Sequence, residues 1–548
     1  MYRCPNCGGD MQFSPEKQKL VCAYCDSEFT VEEFDKRKGV NASEHKDVYE
    51  DADHYRATIF TCPQCGGEII STSDTAATFC SFCGASVLLE SRVSDELKPD
   101  MIIPFRVTRE QCRDAYLSHV KKSLFVPSKL KSDNEISKFR SIYMPYWIYS
   151  YDYDGRINVK GKTTYRRGDY VYTKHYNIAS NARLDYDGIA YDASSSFADN
   201  LSSAVAPFDL KKAKSFKSAY MTGHYADTRD VDSDLYESDA ADVVRSHAAN
   251  ALAENRGYAE YGADTSDIAM GFEPALRSAK LGFFPVWFLS SRNAKGDRVS
   301  YAAINGQTGK VAADMPVSFL KYLIGSLLLA IPIFLLLSFV VNVTFTPRVM
   351  LIIAMILGVF AIAILNSQLN KVYTRENNLD DKGWQAIQGR GFVNRKKTIK
   401  TKKGEINVDA KDILSSLGCG GYVFLIIFGI GGIVALVGSY LPYIIVGIIV
   451  FVIIRSVYKS NSGKALKAET FPAPFKEKIG KLIKPIAGIV ISLVTIVLNP
   501  FEDTIYYACA LVSLFLVVWS FRDMIKAHNR LTLRKLPQLG RRGGDENA

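Results

Sequence analysis

Four Cys-x-x-Cys pairs before residue 84 constrain this 548-residue chain more than any other feature. The pairs form two sets, and the same 14-residue gap separates the two pairs within each set. Segment 4–33 recurs as 62–91 at an offset of 58 residues, so one unit occurs twice. The first set is Cys4, Cys7, Cys22 and Cys25, and the second is Cys62, Cys65, Cys80 and Cys83.

Two Cys-x-x-Cys turns can present four sulfurs to one ion, which is the ligand set of a structural Zn²⁺. The sequence therefore predicts two tandem Cys4 zinc ribbons that hold two structural Zn²⁺ ions. Disulfides, a thioredoxin-like redox motif and an iron site are the alternatives. The strict repeat, with neither a signal peptide nor a βαβ pattern around it, favours zinc and a reducing compartment.

The charge of the ribbon region disfavours nucleic acid as a partner. Residues 1–98 contain 10 Lys and Arg against 17 Asp and Glu. Two thiolate-saturated zinc sites would each add about two more negative charges. Because nucleic-acid affinity comes largely from cations that neutralise phosphates, this surface favours a protein-interaction module.

Six apolar runs without a charged residue predict about six transmembrane helices. The fourth run is short, so a re-entrant or interfacial segment is its alternative. The runs contain no Asp, Glu, Lys, Arg or His, which favours anchoring or assembly over a channel or transporter. They are 322–341, 349–365, 419–437, 441–454, 485–501 and 504–521.

The segments between these runs differ in charge. Lys and Arg outnumber Asp and Glu by 11 to 6 in 366–418, by 8 to 2 in 455–484 and by 7 to 3 in 522–548. The short turns on the other side contain one basic residue, Arg348, and two acids. The positive-inside rule then predicts a multi-pass protein of the cell (cytoplasmic) membrane with both termini in the cytoplasm.

The soluble region has an α+β pattern. Thr108, with Gln111 three residues later, predicts a capped helix that ends near residue 123. Turns are predicted at Asp154-Gly155 and at Gly168. The other predicted elements are strands at 142–154, 159–171, 282–289, 299–304 and 310–313 and helices at 210–220 and 239–258.

Two aromatic segments, 144–147 and 284–288, each contain a proline followed by a tryptophan. Trp147 and Trp287 are predicted to fill the core beneath paired strands, and a ligand or peptide groove is the alternative. No nucleophile elbow, phosphate loop or dinucleotide fingerprint is present, so no catalytic residue is predicted. An accessory metal contact from His45 or His54 stays open.

The paired ribbons, the IPF segment at 103–105, the MPYW box, the PVWFL strand and the hairpin at 303–311 also resemble a known family. The chain is similar over about 1–341 to bacterial membrane-anchored TFIIB-type zinc-ribbon proteins. The resemblance implies a scaffold of Gram-positive envelope-stress systems, with SPFH/flotillin-like and phage-shock-type partners. The spans after residue 418 extend beyond the simpler members of that family.

The sequence thus predicts a multidomain, non-enzymatic membrane scaffold that recruits cytoplasmic or membrane-associated proteins to the bilayer. A membrane-tethered nucleic-acid binder and a channel or transporter subunit are the alternatives, and a homo-oligomer stays open. The predicted units are ribbon 1 (1–39), an acidic linker (40–57), ribbon 2 (58–97), the α+β domain (98–316), transmembrane hairpins (317–366, 419–456, 485–521), basic loops (367–418, 457–484) and a basic tail (522–548).

Overall fold

The computed structural model describes residues 2–34, 54–71, 79–87, 89–254, 256–340, 347–387, 471 and 473–539. The first ribbon is a three-stranded antiparallel sheet in which alternate residues such as Met11, Phe13 and Leu20 are buried. Its strands are β1 (Met11–Ser14), β2 (Lys19–Cys22) and β3 (Glu28–Phe29).

A mixed sheet of twelve strands forms the centre of the molecule, and most of its strand pairs are antiparallel. Its path is β10-β7-β12-β8-β11-β5-β4-β6, with β9 beside β8 and β13 beside β12, β14 and β15. The strands are β4 (His54–Thr61), β5 (Glu68–Ser71), β6 (Glu90–Leu97), β7 (Met101–Ile102), β8 (Arg140–Arg167), β9 (Tyr170–Asp192), β10 (Lys214–Ser215), β11 (Tyr225–Asp227), β12 (Ala275–Arg292), β13 (Arg298–Asn305), β14 (Val311–Ala313) and β15 (Arg534–Lys535).

The second ribbon is part of this sheet. Its strand β4 pairs with β5 on one side and β6 on the other, and β5 also pairs with β11, where Ser71 lies opposite Tyr225. The first ribbon also shares its core, because Phe13 and Leu20 cluster with Phe105 and Trp287 of the α+β region. Both ribbons therefore bury apolar surface that neither could cover alone.

The predicted helix after Thr108 is confirmed, together with its cap. The Thr108 hydroxyl accepts the Gln111 amide at 3.2 Å, and the Gln111 side chain accepts the Thr108 amide at 3.1 Å. The helices are α1 (Arg109–Lys121), α2 (Asp133–Ile136), α3 (Asp199–Val205), α4 (Glu237–Ala253), α5 (Arg256–Glu260), α6 (Thr265–Met270), α7 (Phe319–Val340), α8 (Pro347–Glu376), α9 (Lys382–Ile387), α10 (Phe475–Leu498) and α11 (Asp503–Thr532).

The turn predicted at Asp154-Gly155 is wrong. Strand β8 continues through both residues, and Gly155 pairs with Ala182 of β9. The chain first reverses at Gly168, whose φ of 64° is readily adopted only by glycine. The 28 residues of β8 and the 23 of β9 form one long hairpin because each strand satisfies the backbone hydrogen bonds of the other.

The helix predicted at 210–220 is also wrong. That stretch contains a 3₁₀ turn at Leu210–Lys212, strand β10 and a second 3₁₀ turn at Ser218–Met221. Lys214 and Ser215 pair with β7, so tertiary strand pairing overrides the local helical preference. The helix predicted at 239–258 is observed as two separate helices, α4 and α5.

The two tryptophan boxes pair with each other, since Met144 of β8 lies opposite Phe284 of β12. Trp147 is 8% exposed and Trp287 is 6% exposed, which confirms the prediction that both fill the core. Each indole N–H donates to a backbone carbonyl at 2.9 Å, that of Val231 for Trp147 and that of Val107 for Trp287. The boxes are therefore structural.

Gly306, in the turn after β13, has no room for a side chain. A Cβ atom there would lie 2.6 Å from the Phe105 ring and 2.8 Å from Pro285. We expect Gly306→Ala to lower the free energy of unfolding by about 1–3 kcal/mol, because the aromatic core must shift. Thermal unfolding in detergent measures the change. Gly480→Ala is the control, because a Cβ atom at Gly480 would have no neighbour within 4 Å. Gly296→Ala would not serve as a control, because the φ of 76° at Gly296 would strain an alanine.

Three described helices are long and apolar enough to cross a membrane: Arg348–Glu376, Lys476–Leu498 and Asp503–Thr532. They pack on one another around Leu365, Ile489 and Val517. Helix α7 contributes a shorter described apolar stretch, Phe319–Ile333. The predicted spans at 419–437 and 441–454 lie outside the described residues.

Candidate metal centres

The first four cysteines come together at one end of ribbon 1. Their ligand atoms all lie within 4.8 Å of one another. The Cys4 and Cys25 sulfurs are 3.6 Å apart, and the Cys7 and Cys22 sulfurs are 3.4 Å apart. Cys4 and Cys22 are buried, whereas Cys7 and Cys25 are exposed to solvent.

The second four cysteines form an equivalent cluster that is completely buried. The Cys62 and Cys83 sulfurs are 3.9 Å apart, and those of Cys65 and Cys80 are 3.6 Å apart. Sulfurs of a Zn²⁺ tetrahedron with bonds of about 2.3 Å lie about 3.8 Å apart. Both clusters therefore have the size and donor chemistry of a Cys4 zinc site, and the structure brings together every predicted ligand.

The backbone builds each cysteine pair into a tight knuckle. The amides of Gly8, Gly66 and Gly84 donate to the carbonyls of the first cysteine of their pairs at 2.8 to 3.0 Å. These glycines have φ values of 75°, 71° and 70°. The fourth knuckle instead has Asp26 at φ 54°, a left-handed position that aspartate tolerates better than most residues.

Hydrogen bonds to sulfur favour the thiolate that a metal requires. Gly9 and Gly67 donate their amides to Cys7 and Cys65, each at 3.4 Å. The Ser27 hydroxyl lies 3.1 Å from the Cys25 sulfur, and this contact is the main cause that lowers the pKa of Cys25 to about 6. This contact therefore favours the thiolate form of Cys25 that a metal ion requires.

Residues outside the ribbons hold the second centre, and sequence patterns gave no indication of them. Arg292 donates to the Cys83 carbonyl at 2.7 Å and to Gln64 at 2.8 Å. The Leu539 amide donates to the Cys65 carbonyl at 2.6 Å. Strand β12 and the C-terminal tail thus clamp both knuckles of this site.

Other candidate ligands from the sequence lie elsewhere. His54 begins β4 opposite Leu97 and belongs to neither cysteine cluster, while His45 lies outside the described residues. Cys112, which belongs to none of the four Cys-x-x-Cys pairs and is not a predicted ligand, is buried in α1, and burial raises the pKa of its thiol. This environment is that of an inert packing residue. Among the described residues, the two Cys4 groups are the clusters that could hold a metal ion.

Comparison with known proteins adds one relative. No family model matches the chain, and no solved structure matches it. The chain is 29% identical over 325 residues to a Bacillus subtilis (strain 168) protein described as "Uncharacterized protein YdjG". The alignment covers 90% of that protein but 58% of this chain. The chain is thus similar to YdjG over most of the length of YdjG, with a large further part of its own.

Proposed function

We propose that this protein is a non-enzymatic adaptor, anchored in the bacterial membrane, that recruits partner proteins through its cytoplasmic part. In this proposal two structural zinc ions stabilise the cytoplasmic part, and about six transmembrane helices anchor it with both termini in the cytoplasm. The resemblance to TFIIB-type zinc-ribbon proteins favours SPFH/flotillin-like and phage-shock-type partners in an envelope-stress response.

Contacts at the helix ends support this topology. The Ser318 amide, just before α7, donates to the Phe125 carbonyl at 2.8 Å. Glu376, at the end of α8, pairs with Arg298 at 2.6 Å. β15, just after α11, pairs with β13. These three ends therefore adjoin the same α+β domain, as they would if all faced one side of the membrane.

Contacts on both sides of the segment between α9 and α10 also support this topology. The Lys382 amide, at the start of α9, donates to Asp199 of the α+β domain at 2.9 Å. The Phe471 amide, shortly before α10, donates to the Thr374 hydroxyl near the end of α8 at 2.8 Å. Helix α9 and Phe471 would then lie on the same side of the membrane, which agrees with the predicted hairpin at 419–456.

Packing among the apolar helices supports anchoring. A Cβ atom at Gly358 would lie 2.7 Å from Ile489, and one at Gly488 would lie 3.1 Å from the Ser513 carbonyl. Glycines at such contacts allow close helix approach in membranes. Close packing of this kind suits a rigid anchor.

The long hairpin formed by β8 and β9 is the element that we propose recruits the partner. Strand β8 last pairs with β12 at Asp152, so the hairpin continues for fifteen residues to Arg167, about 50 Å at 3.3 Å per residue. Helices α4 and α6 cover one face near Ile157 and Val159, and Gly161 bridges to Ala263. Beyond that point residues 164–175 are all exposed in the described part of the structure.

We call residues 165–174 the hairpin tip. It exposes Tyr170, Val171 and Tyr172 by 72%, 65% and 45%. Tyr165 stacks on Tyr172 at 5.4 Å, and the Lys174 ammonium lies 5.4 Å from the Tyr165 ring. Aromatic residues with basic neighbours are typical of protein interfaces. Residues 160–175 contain five Lys and Arg and one Asp, which favours an acidic protein surface as the partner.

A charge-removal variant tests this role. We expect Arg166→Gln with Arg167→Gln to reduce partner recovery in a mild-detergent pull-down about tenfold or more, because two interface cations are lost. Lys121→Gln with Lys122→Gln removes the same charge from the exposed end of α1 and is the control. Equal partner recovery from both variants and the unchanged protein would rule out the tip as the docking element.

A membrane-tethered nucleic-acid binder is the second candidate, because stacked tyrosines beside cations also suit single-stranded nucleic acid. It predicts binding of labelled single-stranded RNA or DNA that weakens steeply with salt and requires Arg166 and Arg167. The adaptor predicts no such binding. Fluorescence anisotropy of the full chain in detergent separates the two.

A further inference from the structure

The loop after α1 lies against the start of helix α7, which is one of the proposed membrane spans. The Phe125 carbonyl accepts the Ser318 amide at 2.8 Å, and the Phe125 ring packs edge-on against the Tyr322 ring at 5.3 Å. A Cβ atom at Gly325 would lie 2.5 Å from the same ring, so this ring also reaches the next turn of α7. We call residues 121–125, which begin with the last residue of α1, the α1 loop.

Contacts on both sides hold the α1 loop in place. Val120 and Val126 flank the loop, and both are buried in the same hydrophobic core of the α+β domain. The Lys321 ammonium of α7 donates to the Val126 carbonyl at 3.0 Å and to the Ser128 hydroxyl at 2.9 Å. The loop is therefore a fixed junction between the α+β domain and α7.

The position of the α1 loop beside α7 sets its depth relative to a membrane. The predicted span begins at Tyr322, so the Phe125 ring lies at the edge of the hydrocarbon layer. Leu124 is the adjacent residue, and consecutive Cα atoms are about 3.8 Å apart. The headgroup region is about 5–7 Å thick on each side of the hydrocarbon layer. In a chain anchored through α7, Leu124 therefore lies within reach of the bilayer surface.

The exposed side chains of the α1 loop suit a bilayer with negative charge. Leu124 is 75% exposed, and single exposed leucines are common, but this one adjoins a residue that packs on an apolar helix. Lys121 and Lys122 are exposed as well. Residues 115–132 contain four Lys and no Asp or Glu. An apolar side chain beside cations is typical of segments that bind anionic membranes.

We propose that the α1 loop inserts into the cytoplasmic surface of the bilayer. Leu124 contacts the lipid chains, and Lys121 and Lys122 contact the phosphates of anionic phospholipids. The α+β domain is then held on the membrane surface by a lipid contact of its own, in addition to its connections to the helices. This inference rests on the proposed membrane anchoring and adds a lipid class that the soluble domain recognises.

Site-specific fluorescence of the full chain in lipid nanodiscs tests the proposal. An environment-sensitive fluorescent amino acid replaces Leu124, Leu328 inside the predicted span, or Met270 on α6, and all three side chains are exposed. The nanodiscs contain phosphatidylcholine, phosphatidylglycerol and a quenching lipid that is spin-labelled in the upper part of its acyl chain. We expect this lipid to quench the fluorophore at Leu124 about threefold or more strongly than at Met270, because an interfacial segment buries its apolar side chains. Aqueous iodide should quench the two positions in the reverse order.

The charge of the lipid and of the loop is tested separately. With the fluorophore at Leu124, Lys121→Gln with Lys122→Gln should reduce lipid quenching about twofold or more, because each lysine near an anionic surface favours the contact. Arg166→Gln with Arg167→Gln removes the same charge from the hairpin tip and should leave lipid quenching unchanged. Nanodiscs of phosphatidylcholine with the quenching lipid alone should reduce it as the loop variant does.

The outcomes separate this inference from the proposed anchoring. Lipid quenching at Leu328 without quenching at Leu124 would overturn the inference and leave the anchoring intact. Absence of lipid quenching at both positions would overturn both. Equal quenching at Leu124 with and without phosphatidylglycerol would overturn the assignment to anionic lipid. The pull-down of the adaptor role takes place in detergent, so its control variant at Lys121 and Lys122 does not depend on this bilayer contact.

Discussion

Replacing Cys62 and Cys65 by serine is expected to unfold the central sheet, not only the second ribbon. Zinc binding supplies on the order of 10 kcal/mol in zinc-finger peptides, comparable to the whole stability of a typical domain. The strands of ribbon 2 are continuous with the central sheet, because β5 pairs with β11. Phe82, between its last two ligands, packs on Phe288 of β12. Limited proteolysis and thermal unfolding of the detergent-solubilised chain measure the loss.

The matched control is Cys4→Ser with Cys7→Ser. Ribbon 1 has its own three-stranded sheet, so we expect its loss to leave the strands of the twelve-stranded sheet paired, with some stability lost because Phe13 and Leu20 no longer pack on Phe105 and Trp287. The account would be contradicted if the Cys62→Ser, Cys65→Ser variant kept a protease-resistant α+β domain and the melting temperature of the unchanged protein. Metal analysis should give one zinc per chain for the Cys4→Ser, Cys7→Ser variant.

The zinc ions proposed for the two Cys4 clusters are expected to leave at very different rates when a chelator is added. Cys7 and Cys25 are exposed, so a chelator can attack the first ion directly. All four ligands of the second ion are buried, and Arg292 and Leu539 hold their backbone. Its release therefore requires local unfolding, which is slower by orders of magnitude in a stable domain. A colorimetric zinc indicator should record one fast and one slow equivalent.

Two variants assign the phases. Cys4→Ser with Cys7→Ser should remove the fast phase and leave the slow one. Arg292→Gln should speed up the slow phase alone, because it frees the Cys83 knuckle from β12. Release of both ions in a single phase would show that burial does not protect the second site.

Sequence patterns correctly predicted the elements that are determined by interactions between residues close together in the chain. The cysteine spacing sets each knuckle, since two residues between ligands fit one tight turn. Thr108 and Gln111 define the start of α1 because the capping box satisfies amides within four residues. The apolar runs 349–365 and 504–521 each lie inside a longer observed helix, and the run 485–501 overlaps α10 up to Leu498 and extends three residues beyond its end.

Long-range pairing explains the failures. Asp154-Gly155 has turn composition, but pairing with Arg183 and Ala182 keeps both residues extended. Segment 210–220 has helical composition, but Lys214 and Ser215 pair with a strand more than a hundred residues earlier. At the second metal centre, Arg292 of β12 contacts the Cys83 knuckle and Leu539 of the C-terminal tail contacts the Cys65 knuckle, and both contacts join residues far apart in sequence. No local pattern records such contacts.

The most direct test of the adaptor role is photo-crosslinking in living cells. A photoreactive phenylalanine derivative replaces Tyr170 or Tyr172 at the hairpin tip, or Met270, which is 66% exposed on α6, as the control. The account predicts one and the same cross-linked protein at Tyr170 and Tyr172, in the membrane fraction, lost when Arg166 and Arg167 are changed to Gln. No protein cross-link at either tip position, or the same cross-link at Met270, would contradict it.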